Sequence, residues 1–401
     1  MLSQRQLFLQ HVAQTSEMPA GLEIVRAQGV YLYEGNGKAY LDLISGNCVS
    51  NLGHCHPAIV AAVQQQCAAY MHTQVYGEFV LTPQVELAKL LADNLPSSLN
   101  SVYFLNSGAE AVEGAMKLAK RYTGRAKIVA ARGAYHGSSQ GALSLMSSEF
   151  FTSAFRPLLP QVFFIDFNDE NDLQTIDFET ACVVVEPVRA EIGVEKPKNE
   201  YLQKLKRRCQ EVEALLIFDE IQVGCGRTGS LWAFEQYETT PDILLLAKGL
   251  GGGMPIGAFI ADKKIMQSLA ANPVLGHITT FGGHPVSCAA ALANLKILVG
   301  EPEIINNVKR KAAIFCRLLQ HKAIQAIRNA GLIMAMELEN FDMVKNTIRH
   351  CLDLGLVTDW FLYNEKSIRI APPLIINDEE IAKACTILLT ALERATNDLK
   401  K

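Results

Sequence analysis

Through the middle of the chain, short apolar runs of strand length alternate with amphipathic stretches. The runs Ser101–Leu105, Lys127–Ala131, Val162–Ile165, 182–186, Leu215–Asp219, Ile243–Leu246 and 258–261 are dominated by Val, Ile, Leu, Phe and Ala. Helical patterns at 109–122 and 201–212 lie among them. Apolar strands alternating with helices predict a mostly parallel sheet covered on both faces. The texture differs at the two ends. Before residue 55, short alternating pieces at 29–33 and 39–43 flank Gly35-Asn36-Gly37, which predicts a small hairpin sheet. After residue 290 come long amphipathic helices, strand-like pieces at 331–338 and 367–371, and a final helix from Asp378. The expected fold is α/β: a large domain at 56–290, and a smaller α+β domain assembled from 1–55 and 291–401.

Composition sharpens this picture. Of 401 residues, 49% are hydrophobic and 19% charged, enough apolar material for a large core. Mean hydropathy is +0.12, so the chain either spans a membrane or buries its apolar surface well. No run approaches the ~18 consecutive apolar residues of a spanning helix. The N-terminal segment is broken by Gln, Arg and His and lacks the order of a signal peptide. A cytoplasmic protein is expected, with oligomer contacts absorbing the surplus. The ten scattered cysteines, with no CxxC pair, fit a reducing compartment. A net charge of −4 argues against a nucleic-acid partner.

Ligands of open α/β sheets bind beyond the carboxyl ends of the strands. There the sequence places Ser107-Gly108-Ala109, Tyr135-His136-Gly137, Glu186, Asp219 and Lys248. Ser107 opening a helix reads first as an ordinary N-cap with a tight turn, and the same turn suits a phosphate. A lysine ending an apolar strand can be desolvated for imine chemistry, or it can snorkel. A buried Asp219 needs a cationic partner, a ring nitrogen or an arginine, or else caps the next turn. Tyr135 can stack on a flat ring or fill the core. Together these groups match the requirements of pyridoxal 5'-phosphate (PLP).

The pattern resembles the class III aminotransferases of PLP fold type I along nearly the whole chain. The resemblance rests on Asn51-Leu-Gly-His-Cys-His-Pro57, Asn106-Ser-Gly-Ala-Glu-Ala-Val-Glu113, Tyr135-His-Gly137, Glu186-Pro187 with Glu191, and Phe218-Asp-Glu-Ile-Gln222. It continues through Gly226-Arg-Thr-Gly229, Ala247-Lys-Gly-Leu-Gly-Gly-Gly-Met-Pro-Ile-Gly257, Thr279-Thr-Phe-Gly-Gly283 and Arg369-Ile-Ala-Pro-Pro373. It implies that Lys248 forms an imine with PLP and then acts as general base. It further implies that Asp219 keeps the ring nitrogen protonated, that Gln222 meets the ring oxygen, and that Ile221 and Tyr135 sandwich the ring. Ser107, Gly108 and Ala109 would bind the phosphate, joined by Thr280 from a partner subunit in a homodimer with shared sites. His136 reads as a hydrogen-bonded structural residue beside the cofactor. Arg369 would grip a substrate carboxylate, and Glu191 would cover it when an ω-amine reacts. The implied reaction is ping-pong, from an ω-amino acid or acetylornithine-like donor to an oxo-acid acceptor, 2-oxoglutarate or pyruvate.

Two departures bear on the substrate. Many acetylornithine and 4-aminobutyrate enzymes carry an arginine directly after the Tyr/Phe-His-Gly motif, where this chain has Ser138. Many also carry glutamine after Glu-Pro, where this chain has Arg189. One carboxylate clamp is therefore absent. Arg189 either replaces it or is a surface or dimer-interface charge, and the donor is expected to carry its carboxylate at another distance. Glu186 and Ser138 complete the expected substrate-side set. His54-Cys55-His56 is too tightly spaced to hold one metal. Rival readings are an aminomutase or racemase on the same scaffold, or a catalytically silent PLP-binding protein. The presence of Lys248, Asp219 and Gln222 speaks against the last.

Overall fold

The computed structural model describes residues 2–74, 77–198 and 200–398. Its strands in chain order are β1 (Ile24–Gln28), β2 (Tyr31–Glu34), β3 (Ala39–Asp42), β4 (Ser101–Leu105), β5 (Lys127–Ala131), β6 (Val162–Ile165), β7 (Thr180–Val185), β8 (Leu215–Asp219), β9 (Ile243–Leu246) and β10 (Gly257–Ala261). They continue with β11 (Ala326–Ala330), β12 (Ile333–Glu337), β13 (Leu356–Val357), β14 (Trp360–Phe361) and β15 (Asn364–Ile370). The central sheet has seven strands in the order β4-β10-β9-β8-β7-β5-β6. Only β10 runs antiparallel to its neighbours.

Period-two alternation explains the double cover. Val183, Val185, Leu216, Phe218, Leu244 and Leu246 join one core cluster, together with Leu202 and Leu205 of the helix Tyr201–Glu211. Their neighbours Cys182, Val184, Leu215, Ile217, Ile243 and Leu245 face the other cluster, packed by Ala111, Val112 and Leu118 of the helix Gly108–Thr123. At about 25 cal/mol per Å² of apolar surface removed from water, these two layers are the main stabilising term. They also explain the high mean hydropathy. Among the described residues no helix is long and apolar enough to cross a membrane.

The chain ends form two further four-stranded sheets. The N-terminal hairpin continues from β3 into a parallel pairing with β13, a strand that follows Gly355 far along the chain. The fully buried Arg227 ties these regions to the central one. Its guanidinium donates to the Leu332 carbonyl (2.9 Å), the Pro372 carbonyl, Ser45 Oγ (3.2 Å) and Asn51 Oδ1. The Asn51 and Gly226-Arg227 motifs thus serve as stitching between chain segments.

Candidate active site

Four of the parallel strands end on one cavity of about 470 Å³, and the helix that follows β4 opens onto it as well. Ser107, Gly108 and Ala109 line it, with Tyr135, His136 and Gly137, and so do Glu186, Asp219, Ile221, Gln222 and Lys248. Ser107 caps the 16-residue helix Gly108–Thr123, its Oγ accepting from Glu110 N at 3.2 Å. The N-cap and phosphate readings of this turn are therefore compatible. The helix dipole and first-turn N–H groups there favour an anion. A Cβ on Gly108 would lie 2.8 Å from Ile221 Cδ1, and one on Gly137 2.7 Å from Ala109 Cβ. Only glycine lets these walls close so tightly around a flat ligand. Lys248 has φ 41°, a left-handed conformation that bulky residues rarely adopt and that strains the backbone at the end of β9.

Asp219 is 4% exposed at the end of β8. Its Oδ1 accepts from Ile221 N at 3.0 Å, and its Oδ2 lies 2.7 Å from His136 Nδ1. Burial opposes a charge on His136, but the Asp219 hydrogen bond and charge outweigh it and raise its pKa. The other ring nitrogen, Nε2, is buried with no partner among the described residues. Glu186 accepts from Tyr135 N (3.3 Å) and Ala190 N (3.0 Å), and burial pushes its carboxyl up to about 7. The rim thus holds Asp219 oriented by a buried histidine at 2.7 Å, beside a second carboxyl that burial biases toward its neutral form. A phosphate cradle, a stacking wall, an anion for a ring nitrogen, an orphaned histidine nitrogen and an amine in one cavity fit PLP.

A second cavity of about 900 Å³ adjoins the first, with Tyr135, Ser138 and Lys248 lining both. On its wall Arg369 is buried and held at both edges. Its Nη1 and Nη2 donate to Glu191 at 2.9 and 3.0 Å, and its Nε donates to Asp359 at 2.8 Å. Burial works against the Glu191 charge, yet Arg369 overrides it and holds that carboxyl down at about 2. Asp359 shares the same arginine less favourably, and burial lifts it to about 6. Gln222 Nε2 donates to Glu191 Oε1 at 3.0 Å, so this side chain faces the arginine pair as well as the cofactor cavity.

Not every predicted residue joins these cavities. Arg189 is buried elsewhere, donating through Nε to Glu195 at 2.9 Å and through Nη1 to the Arg132 carbonyl. Its guanidinium is consumed by these partners, and it lines a separate groove with Arg328. Glu186 lines only the cofactor cavity, and Ser138 is exposed, 3.1 Å from the Tyr135 hydroxyl. Thr280 is exposed on a loop and lines neither cavity. Asp359, Trp360, Leu362, Phe151 and Phe155 line the second cavity without having been singled out in the sequence. Glu113 holds the turn after Gly137, accepting from Ser139 Oγ and Gly141 N, each at 2.7 Å.

Residues 12–392 match the family model for aminotransferase class-III. An acetylornithine aminotransferase of Methanopyrus kandleri is 39% identical over 387 residues, covering 95% of this chain and 96% of that one. A putrescine aminotransferase of Pectobacterium atrosepticum is 38% identical over 392 residues, with 92% and 80% covered. Among solved structures, the ornithine aminotransferase of Toxoplasma gondii, with PLP at partial occupancy in its active site, superposes with a TM-score of 0.91 at 30% identity. That superposition covers 99% of this chain and 95% of the other. Motifs, sheet topology, cofactor cavity and relatives agree: the chain belongs to the class III aminotransferases, PLP-dependent enzymes of fold type I.

Proposed function

We propose that the enzyme moves the amino group of an ω-amine donor to an oxo-acid, 2-oxoglutarate or pyruvate, by a ping-pong cycle. The ω-amine class includes ω-amino acids, acetylornithine-like compounds and diamines. The observation that carries this reading is that Lys248 lines two adjoining cavities, one built for PLP and one holding the Arg369–Glu191 pair. When bound, PLP supplies an aldehyde for the amino group and a ring that draws electrons from the reacting carbon. The remaining work belongs to the chain. Ser107, Gly108 and Ala109 hold the phosphate, and Tyr135 and Ile221 hold the ring plane. Asp219, oriented by His136, keeps a proton on the ring nitrogen. The Lys248 amine takes the proton from the donor carbon and, in the second half-reaction, delivers one to the acceptor carbon. Arg369 takes the acceptor's carboxylate once Glu191 turns away, through the two-pronged geometry that suits such a pair.

Thr280 is assigned to the partner's phosphate site in a homodimer. Exposed Ile278 and Phe281 flank it, an apolar surface that a second copy would cover. The ten free cysteines support a reducing, cytoplasmic compartment. The test is a half-reaction. Amine added to the yellow holoenzyme without acceptor should abolish the cofactor's absorption band, and oxo-acid should restore it. Isomerised donor with no need for oxo-acid would favour the mutase or racemase reading instead.

A further inference from the structure

One face of the helix Gly108–Thr123 meets two different parts of the cofactor cavity's surroundings. Ala109 and Glu113 lie four residues apart, so they are neighbours on that face, one turn from each other. Ala109, in the first turn, lines the cavity beside Ser107 and Gly108. Glu113 lines neither cavity and reaches instead the segment that follows Tyr135-His136-Gly137. Its Oε1 accepts from Ser139 Oγ at 2.7 Å, from Gly141 N at 2.7 Å and from Ala142 N at 3.2 Å. Ser139 is the N-cap of the short helix Gln140–Ser144, but its hydroxyl caps none of that helix's N–H groups. Glu113 supplies, from a neighbouring helix, the acceptor that those N–H groups need.

Two glycines show how closely the segment is seated. A Cβ on Gly137 would lie 2.7 Å from Ala109 Cβ, and one on Gly141 would overlap the Glu113 carboxylate. That carboxylate is kept from moving aside by its three hydrogen bonds. Residues 137 and 141 thus meet residues 109 and 113, so segment and helix touch at two points one helical turn apart. The other side of the segment faces the cofactor cavity. Tyr135 and His136 line it, the Tyr135 hydroxyl lies 3.1 Å from Ser138 Oγ, and His136 Nδ1 lies 2.7 Å from Asp219. A shift of the segment would move the stacking tyrosine and the partner of Asp219 together.

Resting on the placement of PLP argued above, we infer that Glu113 is a positioning residue for catalysis: it fixes the register between the phosphate-binding turn and the wall that stacks on the ring. It acts through Ser139, Gly141 and Ala142, without touching cofactor or substrate. The lever is short, because small misplacements of reacting groups cost rate steeply.

The test compares the holoenzymes of wild type, Glu113→Ala and Glu113→Gln at a temperature where each is folded. One readout is the circular dichroism of the cofactor band, which reports how the bound ring is held. The others are the saturating rate and the half-saturating concentration with which glutamate or alanine, whichever wild type uses faster, abolishes that band without acceptor. These two amino acids are the reverse donors for the proposed acceptors. In Glu113→Ala the dichroism should change and the saturating rate should fall about tenfold or more, with a smaller change in the half-saturating concentration. Glu113→Gln keeps an acceptor oxygen for the N–H groups and should recover most of the rate. Ser139→Ala removes one of the three hydrogen bonds and replaces Glu113→Ala in the test if that variant does not fold; its dichroism and rate should shift too, by less. Wild-type dichroism and rate in folded Glu113→Ala, or in Ser139→Ala where the first does not fold, would make Glu113 a purely structural residue and overturn the inference, leaving the aminotransferase reading standing. A wild-type band that responds to no amine or amino acid would overturn that reading, and this inference with it.

Discussion

The two cavities that share Lys248 are built by different rules. The cofactor side is made of residues at strand ends and at one helix start, held by backbone geometry that the central sheet dictates. The substrate side is made of side chains from a short hairpin at 360–364, from turns near Phe151 and Phe155, and from Arg369 on β15. Rigid strand ends suit a cofactor whose chemistry is constant. Walls on loops and short elements can be exchanged without disturbing the sheet, which is where substrate preference can diverge. The Arg369–Glu191–Asp359 cluster joins the two rules: its arginine sits on a strand, while its acids come from a loop and a hairpin.

The contrast can be broken by mutation, with the largest effects expected on the cofactor side. Lys248→Ala should still bind PLP but lose about 10²–10⁴-fold or more in turnover, the usual contribution of a positioned proton-transfer group. Steady-state rates check this, and near-normal turnover would remove Lys248 from its role. Asp219→Asn should cost about 10²–10³-fold, since a neutral amide cannot hold the ring nitrogen's proton. The absorption band of the bound cofactor should shift in the same variant. If the band and the rate were both unchanged, Asp219 would be only a structural partner of His136.

On the substrate side the expected effects are smaller and fall first on stability. Glu191→Ala leaves Arg369 with Asp359 and the Trp360 carbonyl and should cost about 3 kcal/mol, as for a broken buried ion pair. The depressed Glu191 pKa sets the pH window. Its folded value near 2 lies below the ordinary ~4.3, so its contribution is present above about pH 4.3 and fades as pH falls toward 2. Denaturant titrations at pH 7 and pH 3 should show wild type and variant converging at the lower pH.

Glu186 provides a case of opposite sign. Its folded pKa near 7 is raised, so the folded state holds a proton that the unfolded chain gives up earlier. Stability of the cofactor-free protein should fall, relative to Glu186→Gln, between about pH 4.3 and 7, by on the order of 3 kcal/mol. A pH-independent difference would show that this carboxyl titrates normally. Arg189→Ala sharpens the contrast from outside both cavities. It should cost about 1–3 kcal/mol through its lost partners and leave the ranking of amine donors unchanged.

What could be read in the sequence follows the same division. Strands β4, β5, β6, β8 and β9 match their predicted ranges, because continuous apolar runs bounded by polar residues leave little freedom in placing them. β15 starts at Asn364 rather than 367, since Asn364, Glu365 and Lys366 are polar and largely exposed on their way into the buried half. The chemistry-bearing residues of the cofactor cavity were legible because each follows such a strand or opens the helix after it. Asp359 was not, because its meaning depends on strand pairing. It meets Arg369 across the fold of the hairpin, where Arg369 N donates to the Asp359 carbonyl at 2.8 Å. Nor were Trp360 and Leu362, since a two-residue strand has no periodicity to detect. Arg189 misleads in sequence for a related reason: its partner Glu195 lies six residues on, across an isolated bridge that spacing alone does not reveal.

Among the described residues, Lys248 is the one lysine that lines both cavities. Borohydride reduction of the PLP-loaded enzyme, followed by peptide mapping, tests this directly. The predicted result is cofactor fixed to the peptide containing Lys248 and to no other. Cofactor fixed to a different lysine, or none fixed at all, would contradict it.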